Sequence, residues 1–166
     1  LLSGKYFRPY LSEDRVGVQI GGAIKNVVAV ACGIVTGYGL GENARAAVMT
    51  RGLSEMSRLA VAKGGKRETL LGLAGVADLM LSSASASSRN TALGIRIGEA
   101  AARQEAMPLA SGPLAEGALT AEAVQELALK LGVPMPLCGM VAQILSGQIT
   151  VGGGIEALLS RPVGYE

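Results

Sequence analysis

From residue 16 onward, apolar positions recur at helical rather than alternating spacing. Across residues 16–40 the string VGVQIGGAIKNVVAVACGIVTGYGL carries one charged side chain, Lys25. Val18, Gly22, Lys25, Ala29 and Cys32 fall on one stripe of that helix, so the ammonium shares a face with small and apolar side chains. The glycines of GGAIKN allow a neighbour to come close. A glycine-rich break, TGYGLGEN, ends this helix. Asn43 then stands where an N-cap would open the amphipathic run ARAAVMTRGLSEMSRLAVAKGG, closed by Gly64 and Gly65. Its charges, Arg45, Arg51, Glu55 and Arg58, read mostly as a solvated or interface face.

Residues 68–80 predict another helix, with a break at Gly75, and the serine-rich loop SSASASSRN follows. Thr120 is placed to cap TAEAVQELALKLG, whose acids come early and whose Lys130 comes late, as the helix dipole favours. Pro134 and Pro136 open a helix to about Ser146, and residues 154–160 give a last one. Residues 1–15, LLSGKYFRPYLSEDR, differ from the rest in aromatic, proline and charge content and read as a strand remnant plus linker. No alternating strand pattern follows them. The expectation is an all-α domain over residues 16–166 behind a short remnant of a different domain.

Composition narrows the chemistry. The 166 residues are 49% hydrophobic and 17% charged, enough for one domain with a substantial core. A net charge of +2 and 3% aromatic residues argue against a nucleic-acid reader built on basic stripes and stacking rings. Residues 16–40 are long enough for a membrane span, but Gln19, Lys25, Asn26 and the glycines argue against one. No basic segment precedes a short apolar one, so no signal peptide is expected, and the first residue, Leu1, suggests an excised piece. With no histidine, the commonest general base and metal ligand is absent. Cys32 and Cys138 lie in apolar contexts without a CxxC partner and read as buried thiols of a reducing compartment, so no metal site is expected. The glycines at 37, 39 and 41 form a turn rather than a dinucleotide fingerprint, because no strand precedes them.

Across residues 69–88 the one charge is Asp78. Two lone charges of opposite sign, each in an apolar segment, are expected to meet, because an unpaired buried charge costs several kcal/mol. Three readings of Lys25 stand side by side: a lysine that snorkels to the surface, a structural ion pair with Asp78, or a group that moves protons. Ser88, Arg89 and Asn90 add hydroxyl, guanidinium and amide donors at a helix start, which suits a phosphate. A lysine beside a carboxylate and next to a phosphate seat fits reduction of a carbonyl on a phosphorylated substrate. No side chain here moves a hydride, so a nicotinamide cofactor would have to supply it.

These strings, GGAIKN, GYGLGENARAAVMTRGLSEM, GLAGVADL, SRN and LAEG, resemble in order and spacing the C-terminal substrate domain of bacterial-type NAD(P)-dependent sn-glycerol-3-phosphate dehydrogenases. FRPYLSED resembles the end of the dinucleotide-binding domain of that family. The resemblance implies a helical bundle like the C-terminal domain of 6-phosphogluconate dehydrogenase, without its N-terminal Rossmann domain. It implies NAD or NADP as cofactor, glycerol 3-phosphate and dihydroxyacetone phosphate as substrates, a role in glycerophospholipid precursor synthesis and a cytoplasmic location. By the same resemblance Lys25 is the proton donor and acceptor, and Lys25, Asp78, Ser88, Arg89 and Asn90 hold the substrate. Arg89, Leu114 and Glu116 touch the cofactor. The implied partner is the chain's own Rossmann domain; the apolar composition and the exposed former domain interface add the expectation of a homo-oligomer, with no nucleic acid and no membrane span. The piece alone is expected to be inactive.

Two positions depart from the family pattern. Leu114-Ala115 stands for a more β-branched pair, and Thr91 for a basic residue. The rival readings are a non-catalytic helical interaction module and a related hydroxy-acid dehydrogenase domain. They differ on whether Lys25 and Ser88 to Asn90 come together.

Overall fold

A computed structural model describes residues 4–85, 87–108 and 116–160. Among them the named elements are all helices: α1 (Arg15–Gly37), α2 (Gly41–Ala62), α3 (Arg67–Leu70), a π-helical turn (Leu73–Ala77), α4 (Asp78–Ala84), α5 (Arg89–Ala102), α6 (Glu116–Leu131), α7 (Pro136–Leu145) and α8 (Val151–Leu159). The all-α expectation is met.

Helix α1 is the axis of the fold. Asp14 caps it, accepting from the Gly17 N–H at 2.8 Å, while its second oxygen takes the Lys66 N–H at 2.8 Å and ties the start of α3 to the start of α1. From Asn26 to Val35 every residue of α1 is buried, because α2, α4, α5 and α6 surround it. By length and composition α1 could cross a membrane, but 67% of its most apolar window lies inside the fold.

The most extensive packing is α1 on α5. Each helix presents two glycines one turn apart, Gly33 and Gly37 on α1 and Gly94 and Gly98 on α5. A Cβ at Gly33 would sit 2.2 Å from the Thr91 carbonyl oxygen, and one at Gly94 would sit 2.1 Å from that of Val30. The two backbones therefore touch, and only glycine permits it. The expected close approach is also made within GGAIKN, where a Cβ at Gly21 would meet the Ala74 carbonyl oxygen of the π-helical turn.

Several local expectations are corrected. Asn43 lies inside α2, which begins at Gly41 and has no side-chain cap; Glu42 and Arg45 pair within its first turn instead. Thr120 lies inside α6, because Asn90 of α5 supplies the cap from outside, accepting the Gly117 N–H at 2.8 Å. Residues 68–80 are not one helix. The chain doubles back so tightly that a Cβ on Gly75 would meet the Leu70 carbonyl oxygen at 2.0 Å, and the π turn around it delivers Asp78 to the first position of α4. The last helix starts at Val151, where Thr150 accepts the Gly153 N–H at 3.1 Å. Residues 4–7 form one isolated antiparallel bridge, Gly4 with Phe7.

Glu55 is the largest correction. Instead of facing solvent it is 2% exposed and accepts the N–H groups of Leu137 (2.7 Å) and Cys138 (3.0 Å). Helix α7 opens on Met135-Pro136 with no cap of its own, so a carboxylate from α2 takes over that role. Burial pushes the Glu55 carboxyl above its ordinary range against the pull of these two bonds. Cys32 and Cys138 are free and buried, as expected. Burial raises the Cys32 thiol to about 11 and also raises Cys138, with the neighbouring Glu55 adding to the effect.

Candidate functional site

The two lone charges meet. Lys25 Nζ lies 2.6 Å from Asp78 Oδ2, with the side chains 22% and 34% exposed. Both face solvent, so the pair is not sealed in the core and the ammonium is within reach of a ligand. Lys25 arrives from the middle of α1, and Asp78 from the first turn of α4. The π turn of residues 73–77 leads directly into Asp78.

The next residue of α1 joins this pair to the other candidate group. Asn90 Nδ2 donates to Asn26 Oδ1 at 3.0 Å, and Asn26 Nδ2 donates to the Gly22 carbonyl at 3.3 Å. Asn26 and Asn90 are each 8% exposed, so this amide pair is a buried link. It seats the start of α5 against the turn of α1 that bears Lys25. Thr91 adds a second tie, donating from Oγ1 to the Ser82 carbonyl at 2.6 Å, which fixes α5 to α4 beside Asp78. Ser88 stands at the N-cap of α5 without a side-chain cap bond, and Arg89 follows it exposed to solvent. A first turn of α5 free of a side-chain cap, flanked by a hydroxyl and a guanidinium, suits an anion.

Asp78 thus pairs with Lys25 directly, and Asn90 bonds to Asn26, the residue after Lys25, with Ser88 and Arg89 preceding Asn90 at the start of α5. Leu114 falls outside the described residues. Glu116 is the first residue of α6, and Gly117 beside it donates to Asn90, so residues 89 and 116 stand one position from either side of a single hydrogen bond.

Two contributors escaped the sequence reading. Asn26 is a second polar group inside an apolar helix, and the argument that singled out Lys25 applies equally to it. Gly117 admits the backbone of α1, because a Cβ there would lie 2.4 Å from the Asn26 carbonyl oxygen; nothing local in the sequence signals this. Among the described residues no cluster of three or more Asp, Glu, Cys or His could hold a metal ion.

Residues 14–156 match the family model described as NAD-dependent glycerol-3-phosphate dehydrogenase C-terminus. The chain is 49% identical over 165 residues to a Rhizobium etli glycerol-3-phosphate dehydrogenase [NAD(P)+], covering 99% of the chain and 49% of that protein. A Methylobacterium radiotolerans relative of the same name is 51% identical over 163 residues, with 98% and 48% covered. The solved glycerol-3-phosphate dehydrogenase of Coxiella burnetii superposes with a TM-score of 0.86 at 42% identity, over 96% of this chain and 49% of that one. The chain spans about half the length of the curated relatives it matches.

Proposed function

We propose, from the premise that this chain belongs to the NAD-dependent glycerol-3-phosphate dehydrogenase C-terminus family, that it is the substrate-binding and proton-transferring part of an enzyme interconverting sn-glycerol 3-phosphate and dihydroxyacetone phosphate. The observation that carries this reading is the 2.6 Å contact of Lys25 with Asp78, beside the uncapped start of α5.

In the direction of reduction, the C2 carbonyl oxygen of dihydroxyacetone phosphate becomes an alkoxide as its carbon is reduced. The Lys25 ammonium gives its proton to that oxygen, leaving a neutral amine and the C2 hydroxyl. Oxidation runs the other way, with the amine of Lys25 taking the hydroxyl proton. Asp78 holds the Nζ in place through the salt bridge, so little orientation remains to be achieved when substrate arrives. Ser88, Arg89 and the first N–H groups of α5 take the phosphate, while Asn90, whose carbonyl and one amide hydrogen tie the helices together, has its second amide hydrogen left for substrate.

The chain's own donor set supports the need for a cofactor: it offers an ammonium and a carboxylate for protons, and its two thiols are buried. NADH or NADPH, when bound, would supply the hydride for reduction, and the oxidised form would accept it in the reverse direction. Arg89, Leu114 and Glu116 are the residues proposed to touch it, and the shared hydrogen bond between Asn90 and Gly117 supports grouping the first and last of these. Exposed apolar residues near the pair, Leu71, Leu73, Met80 and Leu81, support a covering Rossmann domain. Residues 4–14, with Tyr6, Phe7, Tyr10 and Leu11 exposed, fit the last strand and linker of that domain. Self-association through the same apolar surface and a cytoplasmic location, in keeping with two free cysteines, complete the reading.

The test is to join this chain to the N-terminal half of the Rhizobium etli relative and follow nicotinamide oxidation with dihydroxyacetone phosphate. Turnover is expected. A hybrid that is as helical as the parent relative yet inert would overturn the proposal.

A further inference from the structure

Away from Lys25, a cleft of about 490 Å³ lies between the second half of α2, the start of α3 and the turn at residues 132–134. Its lining brings together two guanidinium groups from different elements, Arg58 of α2 and Arg67 of α3, with the hydroxyls of Ser54 and Ser57. No carboxylate is among the residues that line it. Arg58 is held in place rather than free to wander, donating to Ser54 Oγ at 2.9 Å and to the Pro134 carbonyl at 3.1 Å, which leaves N–H groups unspent on its fork. Its buried neighbour Glu55 is committed to the start of α7.

Ser57 is the second and independent observation. It is 8% exposed and lines the cleft, and its hydroxyl, which makes no hydrogen bond within the protein, reaches solvent there. A hydroxyl at a cleft wall can donate to an anion that enters. The remaining walls, Val61, Ala62, Val133 and Pro134, are apolar. The volume exceeds what a bare phosphate needs, so these walls are suited to an organic substituent.

We infer that this cleft binds a small organic phosphomonoester, with the phosphoryl group between Arg58 and Arg67, the Ser57 hydroxyl donating to it, and the organic part against Val61, Val133 and Pro134. It is a second anion site, sharing no residue with the one at Ser88 to Asn90, and it does not depend on the reaction proposed above.

The probes are inorganic phosphate and phenyl phosphate, titrated into the ¹⁵N-labelled chain at constant ionic strength with chloride as the control. Amide signals of Ser57, Arg58, Arg67 and Gly132 are expected to shift, with phenyl phosphate binding more tightly than phosphate. Arg67→Gln, at an exposed position, is expected to weaken the binding read at these signals by about tenfold or more, the usual scale for losing a charged hydrogen-bond partner. Ser57→Ala removes a hydroxyl that bonds nothing in the free protein, so it is expected to weaken binding without lowering the melting temperature. Shifts confined to Ser88, Arg89 and Asn90 would overturn the inference, as would affinity unchanged in Arg67→Gln. Phenyl phosphate binding no more tightly than phosphate would overturn the role given to the apolar walls.

Discussion

Replacing Gly94 with alanine tests what sets the helix geometry around Lys25. An added Cβ would lie 2.1 Å from the Val30 carbonyl oxygen and 2.8 Å from both Gly33 Cα and the Ile34 nitrogen. All three are backbone atoms, so no rotamer change relieves the contact and α5 must move off α1. Alanine gains about 1 kcal/mol of helix propensity over glycine. Overpacking costs about 1–3 kcal/mol, and the upper end applies where the obstacle is backbone. The net expectation is a loss of about 2 kcal/mol, which for a chain of this size lowers the melting temperature by about 4–8 °C.

Gly22→Ala is the matched control. Gly22 also lies inside a helix, but nothing stands within 4 Å of a Cβ there, so this change is expected to stabilise by about 0.4–1 kcal/mol. Differential scanning calorimetry of the two variants beside the parent reads both effects. If Gly94→Ala melts as high as Gly22→Ala, the backbone contact is not what joins α1 to α5. The same displacement would lengthen the 3.0 Å bond between Asn90 and Asn26, so disordered Asn90 side-chain amide signals are expected in Gly94→Ala and not in the control.

Glu55→Ala leaves two buried N–H groups at the start of α7 without a partner and is expected to cost about 1–3 kcal/mol by urea unfolding, against about zero for a plain surface glutamate. The Glu55 carboxyl is pushed above its ordinary 4.5, so the folded state holds its proton more tightly than the unfolded one. Its contribution is therefore full below about 4.5 and is lost as pH rises through the folded value, a fall with pH that Glu55→Gln is expected to remove. In the hybrid enzyme, Arg89→Ala is expected to raise KM for the phosphorylated substrate by about tenfold or more, with a smaller effect on kcat. An unchanged KM would make Arg89 a solvated residue with no part in the phosphate seat.

How much of this was legible beforehand follows from the range of each interaction. The Lys25–Asp78 pair was readable because each charge stands alone in an apolar run, and the cost of leaving either unpaired is the same wherever the partner lies. The helices were readable from periodicity, which is local. Caps failed because they are not always local: Asn90 caps α6 from α5, and Glu55 caps α7 from α2, so the residues nearest those helix starts, such as Thr120, were credited with work done elsewhere. Glu55 was placed on the surface because its neighbours are charged. Its partners are the N–H groups of Leu137 and Cys138, and backbone donors leave no mark in a sequence. Gly94 and Gly117 appear as ordinary small residues until the backbone each admits is in place, whereas Gly75 was legible as a break but not as a π turn.

The central claim is that Lys25 moves the proton, and the most direct measurement is the single-turnover rate of dihydroxyacetone phosphate reduction by the hybrid enzyme carrying Lys25→Ala. Loss of general acid help is expected to lower that rate by about 10²–10⁴-fold, with partial recovery when a small primary amine is added to the buffer. A rate near that of the parent would contradict the assignment and leave the Lys25–Asp78 pair as a structural salt bridge.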